Sequence, residues 1–518
     1  MRLCSATPEE LALRRLLVAI VLLPLVLIGG CTALIRLGLL PEGYAVNVPL
    51  RQALLGRGVE APPESAFGSR IRSPEGSSAG LFADGVAGAR FLRFTEAGDL
   101  LVSQPRSGRV LLLFRDDDGD GRTDGRQVLL EGLHRPHGLD LHEGWLYVGE
   151  TDAVVRVGFD AEGRRTLGDP ERIVTGLPDG GNHWTRTVRL GDDGWMYVSV
   201  GSSCNACIEQ DARRAALLRF RPDGSESEIY ATGLRNAVGF DWRPGTGELF
   251  ATDNGRDLLG DDFPPCELNR VVRGGFYGWP FANGDRIPDP DHGAGRGQEV
   301  GDSIPPAHGF RAHTAPLGIT FVRSERAPHA YRGAALVALH GSWNRSEKDG
   351  YAVVSLHWLP DGSVEERDFL WGFLEDGDVI GRPVDVAEGP DGAVYVSDDY
   401  AGSIYRVAWG ERARAAGFRT PLDASELVDP LGGLAPAEQQ ARSARGADLY
   451  ELHACAGCHE TERALDGIVP KELGGLADRY DLRALSALLE TPTPPMPAYP
   501  LSDGERRDLA VYLLTTYP

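Results

Sequence analysis

Between residues 80 and 408 one local pattern recurs six times: a glycine that turns the chain, followed by a short apolar, strand-forming run. The copies begin at Gly98 (Asp-Leu-Leu-Val), Gly144 (Trp-Leu-Tyr-Val), Gly194 (Trp-Met-Tyr-Val), Gly247 (Glu-Leu-Phe-Ala), Gly333 (Ala-Ala-Leu-Val) and Gly392 (Ala-Val-Tyr-Val). A spacing of roughly 50 residues is what four strands and their turns occupy, and a unit of that size buries its faces only against its neighbours. The pattern therefore predicts an all-β, six-bladed β-propeller. The 66 Gly and 35 Pro suit so turn-dense an architecture.

The interval before Gly333 is longer and holds a Pro-, Gly- and His-containing stretch from Pro280 to His313. It is expected to be a loop over one face of the ring, where propellers carry ligand loops. A second element, Gly132-Leu-His-Arg-Pro-His-Gly138 and Gly233-Leu-Arg-Asn-Ala-Val-Gly239, precedes a blade strand and predicts polar side chains at the central channel. Read singly, His134 is an ordinary turn residue.

Around Trp409 the pattern breaks. Residues 410–445 are rich in Ala, Arg, Glu, Gln, Pro and Gly without strand alternation and read as a linker with some helical character, and 446–518 read as a small all-α domain. Ser502-Asp-Gly-Glu505 is a capping box opening a last helix with Leu509, Tyr512, Leu513 and Tyr517 at helical spacing. A 518-residue chain is expected to form two such units, here a propeller over 40–409 and the helical domain.

Residues 1–31 read as an export signal: a polar start ending in Arg14-Arg15, an apolar run from Leu16 to Ile28, then Gly29-Gly30-Cys31. Ile28-Gly29-Gly30-Cys31 resembles a lipobox, whose cysteine is cleaved and acylated. An uncleaved helix is the alternative, because the apolar stretch runs on to Leu40 with only Arg36 interrupting it. Either places the protein on the periplasmic side of a membrane, anchored through its N-terminus. A formal charge of −22 argues against nucleic acid as a partner, since phosphate binding rests on clustered Lys and Arg.

Of the seven cysteines, Cys4 and Cys31 lie in the signal. Cys204-x-x-Cys207 reads as a local disulfide, because no second pair completes a zinc site and the compartment is oxidising. Ile208 stands where a haem motif would need histidine, and Cys266 has no obvious partner. Cys455-Ala-Gly-Cys458-His459 is a c-type haem attachment sequence: two thiols on one helical turn add to the haem vinyls and His459 becomes an axial ligand. Of Met1, Met196 and Met496, only Met496 lies in this domain, in Pro494-Pro-Met-Pro-Ala-Tyr-Pro500. This proline-bounded methionine resembles the methionine loop of class I cytochromes c and is the expected second iron ligand.

Six longer motifs carry a further resemblance: Gly176-Leu-Pro-Asp-Gly-Gly-Asn-His183-Trp-Thr-Arg186, Gly233-Leu-Arg235-Asn236, Asp253-Asn-Gly255-Arg256-Asp257, Gly275-Phe-Tyr-Gly-Trp-Pro280, His340-Gly-Ser-Trp343-Asn-Arg345 and Gly381-Arg382-Pro-Val. Over roughly residues 80–408 the chain resembles the pyrroloquinoline-quinone (PQQ)-dependent sugar dehydrogenases, especially the sorbosone and pyranose dehydrogenase branch. The resemblance implies oxidation of an aldose or sugar aldehyde, with electrons passing through haem c to an external acceptor such as a cytochrome or quinone. It places His183 as the base that takes the hydroxyl proton, a role that suits histidine near neutral pH. His137, His313 and His340 compete for it. Arg235, Arg345 and Arg382 match positions that hold the carboxylates of the quinone, whose geometry suits guanidinium forks. Asn236 is implied to aid the quinone oxygens, Trp343 to stack on the ring, and the backbone of Gly255 and Arg256, with Asp257 nearby, to hold calcium.

There are departures. The lysine that contacts the quinone in the soluble glucose enzymes has no clear counterpart here, and Cys266 stands where the branch often has an acidic residue. Asp116-Asp-Asp118-Gly-Asp120-Gly121 supplies positions 1, 3, 5 and 6 of a calcium loop, with Asp124 at 9, but Gln127 replaces the bidentate Glu at 12. A plain acidic hairpin turn fits it equally. Two other functions remain open at this point: a sugar-recognition propeller without quinone, and a calcium-dependent lactonase-like hydrolase.

Overall fold

The computed structural model describes residues 62, 64–410, 431, 433–460, 463, 473, 474, 476, 477, 480–490, 492, 496, 497 and 499–517. The export signal at 1–31, the apolar run to Leu40 and most of the 410–445 segment lie outside them. Among the described residues no helix is long and apolar enough to cross a membrane. The chain divides into two compact units, 1–418 and 419–518.

In the first unit six antiparallel sheets form the blades. Blade I runs from Leu92–Phe94 to Arg126–Leu130, blade II from Leu139–His142 to Arg165–Thr175, blade III from Val188–Leu190 to Ser227–Thr232, blade IV from Ala237–Trp242 to His308–Phe310, and blade V from Pro316–Phe321 to Val364–Leu370. Blade VI takes Pro383–Glu388, Val394–Asp398 and Ser403–Trp409, and its outer strand is Ser77–Ala83 from the start of the unit. This pairing of first and last strands closes the ring, so no blade is left with an open face.

All six recurring glycines occupy the turn between the first (inner) and second strands of a blade, with φ between 69° at Gly247 and 93° at Gly98. A side chain disfavours that backbone region, which is why the repeat is legible as glycine. Gly138 and Gly239 serve a different need. A Cβ on Gly138 would lie 2.5 Å from Val188 N, and one on Gly239 2.2 Å from Leu317 O, so both let inner strands of adjacent blades crowd around the axis. Inner-strand aspartates then lock blade to blade: Asp140 accepts from the Leu190 N–H at 2.7 Å, Asp241 from Phe321 at 2.8 Å and Asp385 from Leu92 at 2.9 Å.

The stretch from Pro280 to His313 is more than a loop. It follows the third strand of blade IV and contains the fourth, His308–Phe310, while Gly275–Phe276 just before it adds a parallel fifth strand to blade III.

The second unit is helical, with Pro436–Leu452, Ala456–His459, Leu482–Glu490 and Asp503–Thr516. The first helix thus begins inside the segment read as linker. The capping box at Ser502 forms as expected, Ser502 and Glu505 each satisfying the other's backbone N–H. Helices 436–452 and 503–516 cross at Gly446, where a Cβ would meet Asp508 O at 2.2 Å.

Candidate active site

In a four-stranded meander the blade-to-blade connections and the loops between second and third strands emerge on one face, and the remaining turns on the other. Every propeller residue implicated by the family resemblance lies on the first of these faces. His183, Arg235 with Asn236, and Arg382 sit on connections entering blades III, IV and VI; Gly255 with Arg256, and Trp343 with Arg345, sit on second-to-third-strand loops of blades IV and V. The acidic 116–124 turn lies on the opposite face. There the carboxylates of Asp116, Asp118 and Asp120 converge within 4.8 Å of one another, but Gln127 is turned away to hydrogen-bond Arg164 O.

His183 is half-buried, with Nδ1 2.9 Å from Ser202 O and 3.0 Å from Ser202 Oγ. A carbonyl oxygen only accepts, so the neutral ring carries its proton on Nδ1 and presents Nε2 as a lone pair. Burial, and then the nearby Arg235 guanidinium, push its pKa down to about 3, so the ring is neutral at any ordinary working pH. Gly201 separates it from Asn236: a Cβ there would lie 2.6 Å from His183 Cβ and 2.7 Å from Asn236 Oδ1. Asn236 is in turn fixed through its backbone N–H, which donates to Asp253 Oδ1 at 2.5 Å.

Arg235 is buried and spends its guanidinium on the protein. Nη1 donates to Asn254 O at 3.1 Å and Gly255 O at 3.0 Å, Nε to Asn205 O at 2.9 Å, and Nη2 to Asn205 Oδ1 at 2.9 Å and Asp257 Oδ2 at 3.0 Å. Arg256 points elsewhere, its Nη1 2.8 Å from both carboxylate oxygens of Asp289 and its Nη2 2.8 Å from Asp291 Oδ2. This pins the 280–313 segment to the site face. The backbone of Gly255 and Arg256 is therefore held from both sides.

Arg382 donates to His340 O at 3.0 Å and Gly341 O at 3.1 Å. Arg345 donates to Asp261 O and to Ala312 O, with Asp262 3.5 Å away. Trp343 is 38% exposed, enough for one ring face to be open to a ligand. Beside it Asn344 is fully buried, and neither polar atom of its carboxamide has a partner. Arg186, Arg214 and Arg382 have no carboxylate within ion-pair distance among the described residues. Burial lowers the pKa of Arg186 to about 9. Two buried guanidiniums with no carboxylate at ion-pair distance, the half-buried Arg382 and the buried Asn344 amide, which has no partner among the described residues, make this face a fit for a small polyanion with hydrogen-bonding oxygens, as a tricarboxylate quinone is.

The histidines that competed with His183 have other surroundings. His340 Nε2 lies 2.8 Å from Asp399 Oδ1, and Asp399 also pairs with Arg90 at 2.9 Å. His137 is completely buried against Phe91 and Trp184. His313 Nε2 lies 2.8 Å from Gly260 O.

In the helical unit Cys455 and Met496 pack against the same apolar core, formed around Tyr450, Leu485, Leu489 and Leu509. Thiol and thioether, distant in sequence, thus border one hydrophobic interior.

The sequence profile of glucose/sorbosone dehydrogenases matches residues 146–406. The chain belongs to this family. An uncharacterized protein of Borreliella burgdorferi is 31% identical over 303 residues, 55% of this chain and 79% of that one. The pyrroloquinoline quinone-dependent pyranose dehydrogenase of Coprinopsis cinerea is 24% identical over 62% of this chain and 52% of its own, so this chain spans about half of that relative. The holo form of that enzyme's PQQ domain superposes with a TM-score of 0.57 at 22% identity, covering 65% of this chain and 97% of the domain. A calcium structure of a Trichoderma reesei enzyme of carbohydrate-active family AA12 gives 0.57 at 21%, covering 66% and 97%. These likenesses show the six-bladed fold, and membership of the glucose/sorbosone dehydrogenase family supports sugar oxidation as the class of activity.

Several residues of this face escaped the sequence reading. Ser202, Asn205 and Asp399 act only through partners on other loops, and polar residues in loops give no periodic signal. The Cys204-x-x-Cys207 pair, whose disulfide forms as expected, was the one local hint that the 202–207 loop is shaped for a purpose.

Proposed function

We propose that this glucose/sorbosone dehydrogenase family member oxidises an aldose or related sugar aldehyde in its propeller, using pyrroloquinoline quinone and calcium. Electrons then leave singly through haem c in the C-terminal unit to an external acceptor. The N-terminus tethers the protein to the periplasmic side of a membrane. The observation that supports the quinone is the pair of buried guanidiniums of Arg186 and Arg214 beside neutral His183, neither with a carboxylate at ion-pair distance among the described residues, in a protein whose net charge is −22. Such cations call for an anion.

Pyrroloquinoline quinone, when bound, supplies the acceptor for the hydride that leaves the sugar carbon. Arg382 and Arg345 would hold its carboxylates, Asn236 would meet its ring oxygens, Trp343 would cover its ring and the Gly255 and Arg256 backbone would hold calcium, while Arg235, all five of whose N–H groups go to the protein, supports that backbone instead of the quinone. His183 takes the proton of the sugar hydroxyl at Nε2, while Ser202 keeps Nδ1–H in place. The carboxylates of a bound quinone would oppose the field of Arg235 on this ring, whose pKa burial and then Arg235 depress. Cys455 and Cys458 would carry the haem, and His459 and Met496 would bind its iron, a thioether favouring the reduced state.

The deciding experiment follows the haem spectrum of the purified full chain on addition of sugars. With quinone and calcium present, an aldose or osone reduces the haem; without quinone the haem stays oxidised. Haem reduction by sugar in rigorously quinone-free protein overturns the cofactor assignment. No reduction across a broad sugar and aldehyde panel, with quinone demonstrably bound, overturns the enzyme reading in favour of a recognition propeller.

A further inference from the structure

The disulfide between Cys204 and Cys207 closes a short loop that presents Asn205 to two other parts of the site face. Its Oδ1 accepts from the Asp257 N–H at 2.8 Å, and its Nδ2 donates to Asp257 O at 3.0 Å, so the carboxamide clamps the backbone of one residue on both sides of its Cα. The same Oδ1 accepts from Arg235 Nη2 at 2.9 Å, and the Asn205 carbonyl accepts from Arg235 Nε at 2.9 Å and Trp279 Nε1 at 3.3 Å. Just upstream, Ser202 accepts from His183, donates its N–H to Arg235 O at 2.8 Å, and is tied by its hydroxyl to Cys204 O at 2.7 Å. One small loop therefore touches both His183 and the 254–257 backbone, which come from different blades.

We propose that Asn205 is a positioning residue: acting through Arg235 and Asp257, it sets the Gly255–Asp257 backbone in register with His183. The inference rests on the function proposed above, in which that backbone holds calcium. The chemistry requires asparagine in particular. Alanine removes the clamp, and aspartate keeps the acceptors but loses the donor to Asp257 O and adds charge. The disulfide also restricts the loop in the unfolded chain, so ordering the clamp costs less conformational freedom.

The test uses the full chain as wild type, Asn205→Ala and Asn205→Asp. Two quantities are measured: the calcium concentration that half-saturates quinone binding, followed by quinone absorbance, and hydrogen exchange across 254–258 in protein free of quinone and calcium. Asn205→Ala raises the half-saturating calcium by about tenfold or more, the loss expected of hydrogen bonds to a charged group. It also strips protection from the Asp257 amide while leaving thermal unfolding nearly unchanged. Asn205→Asp retains the acceptor and recovers part of that protection, and it carries the test if the alanine variant does not fold. Unchanged protection at Asp257, or half-saturation within about twofold of wild type, overturns the proposal. If the wild type takes up neither quinone nor calcium, the functional reading fails while the exchange result still decides whether Asn205 positions this backbone.

Discussion

A single added methyl group at Gly201 tests whether His183 and Asn236 act as one site. Alanine there would put Cβ 2.6 Å from His183 Cβ and 2.7 Å from Asn236 Oδ1. Ordinary carbon contacts begin near 3.5 Å, so one or both neighbours must withdraw by about 0.8–1 Å. Gly201 has ordinary negative-φ or extended backbone, so the cost is steric and local rather than conformational. Overpacking of this kind destabilises by about 1–3 kcal/mol, which a domain of this size tolerates. Displacing a reacting group by about 1 Å costs on the order of a hundredfold in rate. Gly201→Ala should therefore fold, bind quinone, and lose about two orders of magnitude in the rate constant for sugar oxidation at saturating quinone and calcium. His183→Gln is the comparator, expected to lose about 10²–10⁴-fold through loss of the base itself. The assay is stopped-flow reduction of an external acceptor, with thermal unfolding measured in parallel. A folded Gly201→Ala protein whose rate constant stays within about twofold of wild type would refute the placement of His183 at the reacting centre.

Glu267 and Asp253 face each other on adjacent strands of blade IV, and burial, then their mutual repulsion in the case of Asp253, pushes their pKa values up to about 7 and about 8. A carboxyl whose folded pKa is raised binds more protons folded than unfolded, so stability is greatest below the ordinary value of 4.5 and is lost as pH rises through about 7. Glu267→Gln, which imitates the protonated form and can still accept from the Gly284 N–H, should stabilise the protein by about 1–3 kcal/mol at pH 7–8 and by nothing near pH 4; denaturant titrations showing a gap independent of pH contradict this. Met496→Ala should retain covalent haem, lose the near-infrared sulfur-to-iron charge-transfer band and lower the haem potential. Survival of that band rules out Met496 as the ligand.

What the sequence determined by itself is whatever neighbours along the chain encode. Turn glycines at Gly98, Gly144, Gly194, Gly247, Gly333 and Gly392 need a positive φ whatever surrounds them, so the six blades were countable before any strand was paired. The capping box at Ser502 and the Cys455-to-His459 spacing are equally local. The strand His308–Phe310 was not legible, because a short segment inside a Pro- and Gly-rich stretch becomes a strand only when the third strand of blade IV offers it an edge. Ring closure by Ser77–Ala83 likewise depends on a partner at the far end of the unit. The site divides in the same way. Residue type and motif marked His183, Arg235 and Arg382, but only the tertiary structure decided that Arg235 is engaged by Asn205, Asn254, Gly255 and Asp257, that Arg256 anchors the 280–313 segment, and that His340 rather than His183 has a carboxylate partner. A guanidinium or imidazole carries the same chemistry in any sequence; its charge state and its free valences are set by groups that other loops and blades bring within about 3 Å, and the order of residues along the chain does not specify those.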